Sequence, residues 1–252
     1  MDSTLPVIEI PRELLGTKYR IIGYGSESRV YNYEDLYAVK IFTMRTSEFK
    51  RKRKFLKIGE LSRLEEKGIA RPIGYTSCDG ELSGCYSDIV KYDIARKDFE
   101  DLEMLHDTRK VLEYLMKAES ILKRLHSRGI ILGDIKADNI MIDQNDNPIF
   151  VDVDNYAIGQ YFFDLMPTRS GTMYNLYGGK VSLRDNDILV FTIMALNLLT
   201  HDDKFSFDQG RFILDGLVEN LNVSEKVKIG LRYIFSNLPN KPYFGDVIGK
   251  SI

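Results

Sequence analysis

The sequence predicts an α+β chain of two lobes, an antiparallel β-sheet carrying one helix followed by a mostly helical second lobe. Three observations carry this. Residues 18–42 alternate apolar and polar positions around a Gly-rich turn. The pattern shifts from strand-rich to helix-rich near residue 93, and residues 187–199 are apolar nearly all round, the mark of a helix buried at the centre of a lobe. The 252 residues, 44% hydrophobic and 29% charged, suit a folded chain rather than a disordered one. They read as one domain over 1–252, with an N-lobe at 18–90, a hinge at 91–95 and a shortened C-lobe at 96–252.

Each element has its own signal. IIGYGSESRVYNYEDLYAVKIF reads as a strand, a loop and two further strands. Thr46 or Ser47 is placed to cap a helix through FKRKRKFLKIGELSRLEEKG, with Phe49, Leu56, Glu60 and Leu64 near one face and Gly68 ending the run. One buried face therefore carries a carboxylate. Ile73 to Tyr92 reads as two strands around the Asp79-Gly80 turn, and ARKDFEDL leads into a helix over 107–128. No repeat or low-complexity tract interrupts the chain.

Net charge is −2, so no global field draws the chain to nucleic acid or anionic lipid. The basic run Lys50-Arg51-Lys52-Arg53-Lys54 reads as a solvated helix face in preference to a site for an acidic partner. No stretch reaches the roughly 18 apolar residues of a membrane helix, and the first residues lack a signal-peptide pattern, which points to the cytoplasm. Cys78 and Cys85 flank a predicted hairpin turn and are expected as reduced thiols. His106, His126 and His201 are too scattered to form a metal cluster.

The chemistry lies in GIILGDIKADNIMIDQNDNPIFVDVDNY, where Asp134, Lys136, Asn139 and Asp152 stand among strand-like apolar residues. Phosphoryl transfer from ATP needs an acid to orient the attacking hydroxyl, oxygen ligands for magnesium, and a cation against the moving phosphoryl group. Those residue types are all present here. Upstream, Gly23-x-Gly25-x-x-Ser28-x-Val30 precedes Ala38-Val39-Lys40.

These segments, in this order, resemble the eukaryotic-like protein kinase family. Leu132-Gly133-Asp134-Ile-Lys-Ala-Asp-Asn139 resembles its H-R-D-x-x-x-x-N catalytic loop, Asp152-Val153-Asp154 its D-F-G motif, and the upstream residues its Gly-rich loop and V-A-I-K strand. The resemblance runs from about residue 18 to 200. It implies a kinase-like fold with ATP and Mg2+ between the lobes. Asp134 would take the proton of the substrate hydroxyl, Lys136 would steady the γ-phosphate, and Asn139 and Asp152 would hold the metal. Lys40 would hold the α- and β-phosphates with Glu60, in E-L-S-R-L, as its partner. Gly23, Gly25, Ser28, Val30, Ala38, Val90 and Tyr92 would complete the nucleotide contacts. Asp187 resembles the aspartate that anchors the catalytic-loop backbone, and Thr172 a Ser/Thr-kinase threonine.

The pattern also departs from the family. Leu132-Gly133 replace His-Arg, which removes the arginine that reads an activation-loop phosphate; Leu132 suits an apolar column with Leu64 and Val153. Asp154 replaces the D-F-G glycine, adding a carboxylate that would supply a metal ligand or restrict the loop to one state. No A-P-E motif follows Gly171-Thr172-Met173-Tyr174. The expected activity is transfer of the γ-phosphate to a protein serine or threonine, the D-I-K sequence favouring those hydroxyls. The alternatives are a nucleotide-binding pseudokinase scaffold and a small-molecule kinase, the latter suggested by Gly133 before Asp134.

Overall fold

The structure, a computed structural model, describes residues 5–25, 28–43, 48–92, 98–104, 107–161, 182–201, 211–236 and 238–249. It is α+β, with a six-stranded sheet and, among the described residues, six α-helices. The chain forms two compact units. One comprises Met1–Lys91 with Ile149–Asp154, and the other Tyr92–Pro148 with Asn155–Ile252.

The first unit is built on strands β1 (Val7–Glu9), β2 (Ile21–Tyr24), β3 (Ser28–Tyr33), β4 (Tyr37–Phe42), β5 (Gly74–Cys78) and β6 (Glu81–Asp88), in spatial order β1-β5-β6-β4-β3-β2. The sheet is mixed rather than wholly antiparallel, and it begins before residue 18. Val7–Glu9 pairs parallel with β5, and Ile10 donates its N–H to the Ser77 carbonyl. The short run VIEI was too brief to read as a strand; its pairing partner comes from far along the chain.

Two-residue turns fix the antiparallel registers. Asp79 and Gly80 both have positive φ, as the hairpin signal required, and the turn sets Cys78 opposite Glu81. Cys85 pairs instead with Tyr75, so the two cysteines do not face each other, and both are buried free thiols. Glu34 and Asp35 are likewise left-handed, and Asn32 offsets that cost by exchanging side-chain hydrogen bonds with Asp35 at 2.6 and 2.9 Å.

Alternation along β4 divides the packing between the two faces of the sheet. Val39 and Ile41 join Ile10, Tyr19, Tyr31, Cys78 and Tyr86 in one core cluster. Phe42 turns the other way, to the cluster of Phe55, Ile58, Tyr75 and Cys85 under helix α1 (Glu48–Ser62). Lys40, between Val39 and Ile41, therefore projects to the α1 side. Helix α1 ends at Ser62, short of Gly68, where Arg71 donates to the Ser62 carbonyl and takes up a terminal acceptor. The chain then pairs with the segment carrying Asp152: Phe150 N–H donates to Gly68 and Ala70 N–H to Phe150, each at 2.8 Å.

The second unit is helical: α2 (Thr108–Ser127), α3 (Leu183–Thr200), α4 (Arg211–Glu219), α5 (Glu225–Ile234) and α6 (Phe244–Ile248). Asp107 caps α2 through the N–H groups of Arg109 and Lys110, and Ser182 caps α3 through Asp185 N–H. Helix α3 is buried from Asp185 to Leu196 and packs against α2, α5 and α6, the central position its all-apolar pattern predicts. Buried Glu119 of α2 accepts from Gly245 N–H and fixes the start of α6. Among the described residues no helix is long and apolar enough to cross a membrane.

Candidate functional site

The first unit brings together motif residues 112 positions apart: Lys40 Nζ donates to Asp152 Oδ1. It also donates to Asp154 Oδ1 at 2.6 Å. Asp152 adopts a left-handed backbone, φ 61°, which is sparsely populated for residues other than glycine and concentrates at functional positions. Val30 lies opposite Lys40 in the β3–β4 register, and Ala38 is two residues from Lys40 on the same strand face. Gly23 pairs with Val30, and Gly25 closes the loop by donating to the Ser28 carbonyl at 2.9 Å. Val90 is half-buried beyond the end of β6, and Tyr92, which opens the second unit, is 42% exposed.

Asp154 is 2% exposed and shares its carboxylate between two lysines, Lys40 on Oδ1 and Lys54 on Oδ2 at 3.3 Å. Burial alone would raise its pKa, but the attraction of Lys40 and Lys54 outweighs burial and holds the carboxyl down at about 2. Burial likewise works against the Lys40 ammonium, and the two aspartates more than reverse it, raising its pKa.

Glu60 is not the partner of Lys40. Its side chain is 45% exposed and accepts from Arg63 at 3.1 Å. Helix α1 buries Phe55, Lys57, Ile58 and Leu61, and at roughly 100° per residue Glu60 lies about 120° round from Lys54. The buried face thus presents cations where a carboxylate was expected. Lys54 leaves the basic run to sit 4.2 Å over the Phe42 ring, whereas Arg51 and Lys52 are exposed. Its signal was its place four residues before Ile58 and seven before Leu61, on the apolar face.

The second unit builds the loop around Asp134. Asp187, on α3 and 1% exposed, accepts from Leu132 N–H at 2.8 Å and Gly133 N–H at 2.9 Å, so it anchors the loop backbone. His126 Nε2 donates to the same carboxylate at 3.0 Å, and its Nδ1 meets the Tyr243 hydroxyl at 3.0 Å. Three donors on one buried carboxylate offset its desolvation. Gly133 has φ 76°, a left-handed backbone that glycine takes without the strain a side chain would bring.

Asn139 folds back onto Asp134, its Nδ2 donating to the Asp134 carbonyl at 3.1 Å and to Oδ2 at 3.3 Å. Lys136 is half-buried and pairs with Asp138 at 3.0 Å rather than with Asp134. Leu132 and Val153 are both buried, and Leu64 is half-buried.

No protein-family model matches the chain, and no curated protein does.

Each unit holds, by itself, an oxygen donor of the kind a hard cation takes. In the first unit the Asp152 carboxylate is 31% exposed, and in the second the Asn139 amide nitrogen is taken by Asp134. Among the described residues no group of three or more His, Cys, Asp or Glu forms an all-protein cage. Magnesium ordinarily needs only one or two carboxylates beside phosphate and water. Thr46, Ser47, residues 93–95 of the hinge, His106 and the segment 171–180 with Thr172 lie outside the described residues.

Proposed function

We propose that this chain is an ATP- and Mg2+-dependent phosphotransferase that moves the γ-phosphate to a protein serine or threonine hydroxyl, working in the cytoplasm. The observation that carries the reading is the pairing of Lys40 with Asp152, two motif residues distant in sequence that meet on the same strand face as Val30 and Ala38. The anchored loop of Asp134 and Asn139 adds to it.

In this reading Lys40 binds the α- and β-phosphates, and Gly23, Gly25 and Ser28 bring backbone amides against them. Val30, Ala38, Val90 and Tyr92 receive the base. Asp134 accepts the proton of the attacking hydroxyl, and Lys136 exchanges its surface pair with Asp138 for the γ-phosphate. Asn139 and Asp152 are the residues that would hold Mg2+, which when bound would supply charge neutralisation at the phosphates. Catalysis of this kind is positioning and charge stabilisation, so the fixed loop backbone matters as much as the acid. Asp134→Asn should abolish transfer from γ-labelled ATP to protein while leaving ATP affinity near wild type; transfer that survives the substitution would refute the role of Asp134.

A pseudokinase is the second reading, favoured by one observation: Asp154 engages the same ammonium as Asp152. Its signature is stabilisation by nucleotide without turnover, about 2.7 kcal/mol at a hundredfold excess over Kd. Turnover would exclude it.

A further inference from the structure

We propose that Asp154 and Lys54 are positioning residues that hold Lys40 for the polyphosphate of a nucleotide, helix α1 contributing a cation where a helix carboxylate was expected. The inference rests on the nucleotide reading above and names the parts that orient its lysine.

Four observations converge. Strand alternation sends Lys40 to the α1 side, where Asp154 Oδ1 receives it at 2.6 Å. The other oxygen of that carboxylate goes to Lys54 Nζ at 3.3 Å, so one buried anion ties strand to helix. Lys54 is itself fixed, 14% exposed and 4.2 Å above the Phe42 ring, and buried Lys57 adds attraction for the same carboxylate. Glu60 is turned to Arg63 and takes no part.

The arrangement separates two tasks that one aspartate would otherwise share. Asp152 is the more exposed of the pair, 31% against 3% for the Asp154 side chain, and is suited to a ligand cation. Asp154 is sealed and retains Lys40 whichever cation Asp152 serves. Lys54 forms an ion pair, not a hydrogen bond, with the far oxygen, and this attraction draws the carboxylate so that its near oxygen sets where the Lys40 ammonium points.

The test measures the affinities of ATP and of adenosine for the full chain carrying Asp154→Asn, Lys54→Met or Lys54→Arg. A parallel measurement follows acylation of Lys40 by peptide mapping. Asp154→Asn should weaken ATP about ten-fold while moving adenosine by less than about two-fold, and Lys40 should acylate faster. Lys54→Met should shift ATP in the same direction and Lys54→Arg should restore it. A purely structural role would weaken ATP and adenosine alike, and that result overturns the inference. So does an Asp154→Asn protein that binds ATP like wild type with Lys40 no more reactive. A wild-type protein that binds neither ligand removes the nucleotide reading itself and this inference with it.

Discussion

Replacing Asp187 by asparagine keeps its size and removes its charge, and the consequence can be worked from the hydrogen bonds. Oδ1 serves Gly133 N–H, while Oδ2 serves both Leu132 N–H and His126. An amide offers one acceptor oxygen. The better orientation keeps that oxygen on Leu132 and His126 and turns the NH2 towards Gly133 N–H, orphaning a buried donor at a cost of about 1–3 kcal/mol. The two retained bonds lose their charge assistance, so the total is about 3 kcal/mol, a large share of a typical 5–15 kcal/mol stability. Urea unfolding followed by circular dichroism reads this as a lower midpoint with an unchanged slope. A loss below about 1 kcal/mol would refute the view that Asp187 organises the loop backbone.

Three further outcomes are expected. Asp154 contributes stability that is fully present above its ordinary pKa of 3.8 and is lost as pH falls through its folded value of about 2, on the order of 2 kcal/mol. Acid titration of wild type against Asp154→Asn should show this loss only in wild type; parallel curves would contradict the ion pairs. Gly84→Ala should destabilise the first unit by about 2–3 kcal/mol in urea, because the new Cβ would lie 1.8 Å from the Lys40 carbonyl oxygen on the neighbouring strand; a neutral substitution would contradict the β4–β6 packing. Cys85 should resist a thiol reagent until the protein unfolds, since burial raises its pKa. Rapid labelling of native Cys85 would contradict its placement under α1.

Much of the fold was legible because its signals are local. The Asp79-Gly80 turn, the alternation around Lys40 and the apolar run of α3 each act over a few residues, and each formed the expected element. β1 was not legible, because three residues acquire a strand identity only from a partner about 68 positions away. The end of α1 was also missed: the helix stops at Ser62, where distant Arg71 takes up the carbonyl, and not at Gly68.

The candidate residues were legible as motifs, their partners less so. Lys40 and Asp152 were both singled out, yet Glu60 was assigned to Lys40 from its place in a motif, and helix rotation turns it to Arg63. Asp154 was noticed as a departure, and the structure sets it between Lys40 and Lys54. Lys54 hid in a run of five basic residues, where composition suggests solvent and only its phase against Ile58 and Leu61 points inward. Asp187 was expected to anchor the loop and does so, while its link through His126 to Tyr243 joins residues 117 apart and carried no local signal.

The most direct test of the central claim is Mg2+-dependent transfer from γ-labelled ATP to a generic protein substrate, comparing wild type with Lys40→Met and Asp152→Asn. The account predicts labelling by wild type that is lost in both variants. No labelling by a wild-type protein that binds ATP, or labelling that persists in either variant, would contradict it.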